Sequence, residues 1–471
     1  MEKEQLNQQQ RPLFDALRKH KKVEKQSFHV PGHKNGLNWL DEMSEFKQLL
    51  AYDQTEVSGL DYLHEPTGVI EASQTLLSDF YKSEKSYYLV NGSTVGNLAM
   101  IMASVKRDDL ILMTRDAHQS VIHGVELAGA TPLFLGQVSD AEGTIKAGIK
   151  PADLKAVFKQ YSGIKALVMT YPTYYGEIYP LKELIELAKA NNCLVLVDEA
   201  HGPHFTLGSP FPVSALELGA DVVVHSAHKM LPALTQGSYL HIGKGSSIEF
   251  QREIEHYLHI LQSSSPSYLL MMSLEYARYF LANWTLDDLK QTLAYVTFWE
   301  NKLEQAGFDV LKTADPLKLN IGKTGYLGEE LAVYFEEKGL FPELSTESFI
   351  LLTFPLLKAQ QPIQLPEVEL AQLESREVAV KKRPIVRYPQ MTTLALSYEQ
   401  QKMKAVEFVD LEQAIGCISA VTVTPYPPGI PLILKGEEIK QEQLAVLKAG
   451  LAQFNRVVGL KNKNKILVFS H

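Results

Sequence analysis

The chain has 471 residues, more than one simple core accommodates, so a large domain with a smaller companion is expected. A hydrophobic share of 45%, a charged share of 21% and a net charge of −9 suit a globular protein and argue against nucleic acid or an anionic membrane as partner, since both call for basic patches. Two cysteines exclude a disulfide framework or metal site and read as buried free thiols; with no signal-peptide core and no run of roughly 18–20 apolar residues, the expected location is the cytoplasm.

In chain order, residues 1–10 are polar, and Pro12–Lys22 forms a short helix that leads into SFHVPGHKNG (27–36), where Pro and Gly interrupt regular structure. Strands and helices then alternate. Strands are expected at Tyr87–Val90, Leu110–Met113, Thr131–Leu135, Ala166–Met169, Leu194–Val197 and Asp221–Val224, and helices near Val95–Val105, His118–Leu127 and Leu181–Asn191. Such alternation implies crossover connections and an α/β fold with a mostly parallel sheet, in which ligands bind beyond the carboxyl ends of the strands. Glu249 to Gln305 is helical in pattern. Beyond it, strand candidates at Lys318–Ile321, Phe349–Thr353 and Ser419–Thr424 mix with helices and a Pro-rich acidic loop near Gln361–Glu369. The expected organisation is an N-terminal segment 1–58, a large cofactor-binding domain 59–310 and a small α+β domain 311–471.

The polar residues of interest fall at strand ends. Lys229, in HSAHKM, follows the Asp221–Val224 strand between small and apolar neighbours, with Ser226 and His228 beside it. A lysine there is ordinarily solvated; a Schiff-base lysine needs a depressed pKa and a water-poor site, which a strand end at a cleft supplies. Asp198 closes LVLVD and precedes Lys229 by 31 residues, one strand–helix–strand step, so the two can occupy neighbouring strand ends. A buried carboxylate there suits a cofactor ring nitrogen that must stay protonated, although a helix cap or a metal ligand would use the same residue type.

NGSTVG (91–96) lies between a strand and a helix and offers a phosphate free N–H groups and the hydroxyls of Ser93 and Thr94. It is neither a Walker A loop nor GxGxxG. His118, in RDAHQS, reads either as a surface or cap histidine or as a flat ring over a cofactor. His201, three residues after Asp198, can orient that carboxylate or touch the cofactor; DEAH as a helicase box would need an upstream phosphate-binding lysine loop, which the sequence lacks.

Nine segments stand in a family order: SFHVPGHKNG (27–36), GLDYLHEPTGVI (59–70), YYLVNGSTVGNLAMI (87–101), RDAHQSVIHG (115–124), TYPTYYGEIYPL (170–181), VLVDEAHGPHF (195–205), HSAHKMLPALTQGSYL (225–240), LQSSSPSYLLMMSLEYAR (261–278) and PYPPGIPL (425–432). Together they resemble the Orn/Lys/Arg decarboxylase class-I family, and its shorter Gram-positive-type members in particular. The resemblance implies a PLP-dependent transferase-like fold (fold type I), pyridoxal 5′-phosphate (PLP) as cofactor, and decarboxylation of arginine, lysine or ornithine, with arginine favoured. It implies that Lys229 carries the cofactor, Asp198 pairs with the ring nitrogen, His118 stacks on the ring, and Ser93, Thr94, Ser226 and His228 bind the phosphate. Ser263 or Ser264 would reach the phosphate of a neighbouring subunit, which implies at least a homodimer with shared active sites. The receiver-like N-terminal domain of the large inducible members has no counterpart before these motifs, so an acid-stress decamer is not expected.

Lys229 or His228 would return the proton to Cα, and Glu56, Asp61 and Glu65 are candidates for the cationic substrate tail. Two rival readings keep the scaffold. One is an aminotransferase or lyase, with Arg383 or Arg387 of KKRPIVRY holding a carboxylate. The other is a non-catalytic binding protein, against which the intact Lys229 and Asp198 speak.

Overall fold

The computed structural model describes residues 6–470 apart from 25, 137, 140–144, 147, 347, 362, 375, 377–390, 427–430, 452–455 and 463. Arg383, Arg387 and part of PYPPGIPL lie outside the described residues. The chain forms two compact units that do not follow chain order: residues 1–104 with 194–285, and residues 105–193 with 286–471.

In the first unit, LVLVD and VVVH are short aliphatic runs without alternation, the pattern of strands covered on both sides. They form Leu194–Asp198 and Val222–His225, paired in parallel with Asp198 opposite Val224. Ser238–Ile242 runs antiparallel beside Val222–His225, and Lys85–Leu89 runs antiparallel to it in turn. Lys85–Leu89, Val222–His225 and Leu194–Asp198 therefore point the same way and present their carboxyl ends on one edge. Ser238–Ile242 escapes sequence inspection because SYLHI mixes polar with apolar residues, yet all five are buried.

The helix after Lys85–Leu89 begins earlier than its apolar run predicts, at Gly92 rather than Val95, because the Gly-Ser-Thr loop forms its first turn. Gly92 has φ +81°, open to glycine at little cost. Gly96 brings the helix against the strands: a Cβ there would lie 2.7 Å from Leu89 Cδ1 and 3.0 Å from Val224 Cγ1. The expected helix after residue 11 is Pro12–Val23, which buries Leu13 and Leu17. Its first N–H groups, on Leu13 and Phe14, donate to the buried Glu275 carboxylate at 3.0 and 2.8 Å, an acidic cap supplied from a distant helix. Two further elements carry weaker sequence signals, Val69–Tyr81 here and Pro151–Gln160 in the second unit.

The helical stretch from Glu249 resolves into Ile248–Leu261, Tyr268–Ala282 and, in the second unit, Leu286–Gln305. The hydroxyls of Ser247 and Ser267 cap the first two by accepting from Phe250 and Leu270 N–H.

In the second unit, Leu110–Thr114 pairs in parallel with Thr131–Leu135 and with Ile164–Thr170. Met391–Thr393 adds an antiparallel edge. An antiparallel sheet contains Asp309–Lys312, Lys318–Gly322 and Phe349–Thr353. A last small sheet pairs Val406–Asp410 and Ile418–Ser419 with Lys465–Phe469 over a core of Leu411, Val423, Ile433, Leu447 and Ile466. The single strand expected at Ser419–Thr424 is two, Ile418–Ser419 and Thr424–Tyr426. Cys193 is buried as expected, whereas Cys417 is half-buried, so only one of the two thiols is a core residue. Among the described residues no helix is long and apolar enough to cross a membrane.

Candidate active site

In the first unit the sequence-predicted residues gather at the strand ends. Asp198 ends its strand, is buried, and accepts hydrogen bonds from Asn97 Nδ2 (2.9 Å, to Oδ2) and from the Ala200 N–H (3.2 Å, to Oδ1). Among the described residues no cation pairs with it. Lys229 follows the neighbouring strand by four residues, and its Nζ lies 3.1 Å from His201 Nε2. His201 therefore faces the lysine.

Ser226, fully buried just beyond His225, donates to Ser93 Oγ at 2.7 Å and so ties the lysine segment to the first turn of the Gly92–Ser104 helix. Thr94 lies exposed on that same turn. His228 Nδ1 is 3.0 Å from the Gly237 carbonyl oxygen, which fixes its ring.

Ser263 and Ser264 have exposed side chains. Their backbone packs within the unit: Ser263 N–H donates to Asn91 Oδ1 at 3.1 Å, and His64 Nε2 lies 2.8 Å from the Ser263 carbonyl oxygen. Of the acidic candidates for the substrate tail, Glu56 and Glu65 are exposed. The Asp61 carboxylate is instead engaged by backbone, accepting from the N–H groups of Tyr62, Thr67, Gly68, Ile70 and Glu71 at the start of helix Val69–Tyr81. Partial burial opposes its charge, but these N–H groups outweigh that and hold its carboxyl below the ordinary range.

His118 belongs to the second unit. It caps helix Gln119–Ala128, its Nδ1 accepting from the Ser120 N–H at 3.2 Å, with Ser120 Oγ at 2.7 Å. A ring nitrogen that accepts from an N–H is unprotonated, so a neutral His118 carries its hydrogen on Nε2. Arg115 holds the preceding turn. It is 1% exposed and grips Glu437, with Nη2 2.9 Å from Oε2 and a further Nη1 bond to the same carboxylate.

Sequence inspection does not reveal what lies behind the site. Asn97 sits on an apolar helix, and a polar residue on that buried face was the only signal for it. Glu199, next to Asp198, is fully buried. Its Oε2 accepts from Ser214 Oγ and His225 Nε2, each at 2.7 Å, and its Oε1 accepts from the Ala215 N–H at 2.8 Å. His225 Nδ1 lies 3.1 Å from His241 Nε2, and His241 Nδ1 lies 2.7 Å from Ser86 Oγ. Burial, and then the nearby His225, push His241 well below the usual histidine range, so it stays neutral.

This chain crosses three adjacent strands and anchors the segment that carries Ser226 and Lys229. Glu199→Ala leaves three buried donors without an acceptor. It is expected to cost about 3–5 kcal/mol in denaturant unfolding. A loss below about 1 kcal/mol would mean that the network does not hold the strands.

These residues fit PLP. The buried Asp198 has an amide and an N–H on its oxygens and no counter-cation among the described residues, an arrangement a protonated ring nitrogen completes. A helix start with the hydroxyls of Ser93 and Ser226 beside it suits a phosphate. Fold and site together define a PLP enzyme of fold type I. The chain belongs to the Orn/Lys/Arg decarboxylase family: the family's major domain matches residues 11–294 and its C-terminal domain residues 367–462. It is a PLP-dependent decarboxylase of basic amino acids.

The chain is 40% identical to the uncharacterized protein YaaO of Bacillus subtilis (strain 168) over 97% of this chain and 98% of that one. It is 31% identical to the arginine decarboxylase of the same organism over 94% of each. The lysine decarboxylase LdcF of Francisella novicida shares the fold, with a TM-score of 0.80 at 19% identity, covering 98% of this chain and 81% of that one.

Proposed function

We propose that the substrate is arginine and the products are agmatine and CO2. The observation that carries this reading is the match to a Bacillus arginine decarboxylase along nearly the whole of both chains. When bound, PLP supplies the electron sink for the bond to the departing carboxylate.

The protein's part is to bind and orient. Lys229 is the tether, and His201 Nε2, 3.1 Å away, is placed to take a proton from its ammonium and leave a nucleophilic amine. Asp198, oriented by Asn97, keeps a proton at the facing ring nitrogen. Ser93, Thr94 and Ser226, with the first N–H groups of helix Gly92–Ser104, bind the phosphate, and His228 supports them.

By family resemblance His118 stacks on the ring, and Ser263 or Ser264 serves the partner's site in a homodimer or larger assembly. Lys229 or His228 returns the proton to Cα. Glu56 and Glu65 remain available for the cationic tail, since Asp61 is occupied by backbone. The functional division follows the motifs: an N-terminal segment 1–58, a cofactor-binding domain 59–310 and a small domain 311–471, acting in the cytoplasm.

The test is CO2 release with amine identification, on purified protein with PLP, offered arginine, lysine and ornithine separately. Agmatine as the strongly preferred product is expected. Preference for cadaverine or putrescine would move the substrate, and a keto acid without CO2 would move the reaction to transamination.

A further inference from the structure

We propose that His20, Glu24 and His29 form a binding site for a divalent transition-metal cation, with Zn2+ the best fit. His20 and Glu24 stand one turn apart at the end of helix Pro12–Val23, and His29 returns from the following turn. His20 Nε2 lies 3.0 Å from Glu24 Oε2, and His29 Nε2 lies 3.1 Å from Glu24 Oε1. The three ligand atoms are all within 4.8 Å of one another. Tetrahedral zinc with nitrogen and oxygen ligands separates them by about 3.3 Å, so small side-chain adjustments close the set and leave a fourth position for water.

The hydrogen on His29 is the decisive detail. Its Nδ1 faces the Val30 carbonyl oxygen, which can only accept, so that nitrogen carries the hydrogen. In the neutral ring Nε2 is then a bare lone pair aimed at a carboxylate oxygen. Two lone pairs at this distance need a cation between them, either a second ring proton or a metal. Fixing a metal-ligating histidine through its other nitrogen is the arrangement that zinc sites use.

The carboxylate is oriented in the same way. Asn35 Nδ2 donates to Glu24 Oε2 at 2.8 Å, and Gln54 Nε2 in turn donates to Asn35 Oδ1 at 2.8 Å. Asn35 reaches Glu24 from a turn in which both it and Lys34 hold left-handed backbone, with φ of 56° and 48°. Such geometry is costly for residues with a Cβ and persists where the surroundings enforce it. Two imidazoles and one carboxylate favour zinc-like ions over Mg2+ or Ca2+, which take oxygen ligands. The site would pin the end of the helix to SFHVPGHKNG, a motif to which the decarboxylation reading assigns no role. A cysteine count cannot reveal it, because its ligands are histidine and glutamate.

The test is isothermal titration of the full PLP-loaded chain with Zn2+, and separately with Mg2+, for the wild type, His29→Ala and Glu24→Gln. The expected result is one saturable Zn2+ per chain with micromolar or tighter affinity, no matching Mg2+ event, and at least tenfold weaker zinc binding in both variants. PLP content should be unchanged in both. No saturable zinc binding in the wild type would mean that a second proton fills the gap, and would overturn the proposal. So would zinc binding that both variants retain, since the ion would then sit on other histidines. Because titration reads the metal directly, the outcome does not depend on which amino acid the enzyme decarboxylates.

Discussion

Lys229→Ala is expected to lower turnover by more than about a thousandfold, because it removes the amine proposed to hold the cofactor covalently. Borohydride reduction of the PLP-loaded wild type should add the cofactor's mass to the peptide containing residue 229, and the variant should gain none. Activity assay and peptide mass spectrometry check the two halves separately. A variant still labelled at full yield would place the tether on another lysine. Retention of noncovalent PLP is expected, since Ser93, Ser226 and the helix start remain.

Asp198→Ala is expected to keep part of the bound cofactor while losing about a hundredfold to a thousandfold in kcat, the range for removing one preorganised electrostatic partner from a reacting group. The carboxylate is buried with Asn97 and the Ala200 N–H on it, and its loss removes the charge proposed to hold the ring-nitrogen proton. Asp198→Asn separates charge from shape: it keeps an oxygen for the Ala200 N–H but cannot sustain the proton, and it should resemble the alanine variant in kcat. Steady-state kinetics with PLP content measured by equilibrium dialysis decide the matter. Near-normal kcat in either variant would remove the ring-nitrogen role.

Both positions are legible in the sequence because Asp198 closes a recognisable strand signal and Lys229 follows another by four residues. A buried parallel strand is written as a short aliphatic run, and in such sheets ligands gather where the run ends. LVLVD and VVVHSAHK therefore announce both the strands and the positions of Asp198, Ser226 and Lys229. The family order of the motifs then supplied roles that spacing alone leaves open, as for His118, whose local geometry is that of a helix cap.

Other readings failed for physical reasons. Asp61 looked like an acidic recognition residue, but five backbone N–H groups at a helix start hold its carboxylate, and composition cannot distinguish a cap from a ligand. Ser238–Ile242 went unmarked because its polar residues are buried rather than facing solvent, with His241 beside Ser86 of the next strand and the Tyr239 hydroxyl donating to the Leu274 carbonyl oxygen.

By itself the sequence determined the parallel-strand framework, the lysine and aspartate at its carboxyl ends, the hydroxyl-lined helix start and the decarboxylase family, because each is carried by a local run of residues. Only the tertiary structure decided which polar side chains meet. Asn97 orients Asp198 across 101 residues of sequence, Glu199 reaches His225 across 26, and Arg115 reaches Glu437 across 322. Such pairs leave no local pattern. A buried polar group must find a partner wherever the fold brings one, and that partner is set by strand order and register rather than by neighbours in the chain.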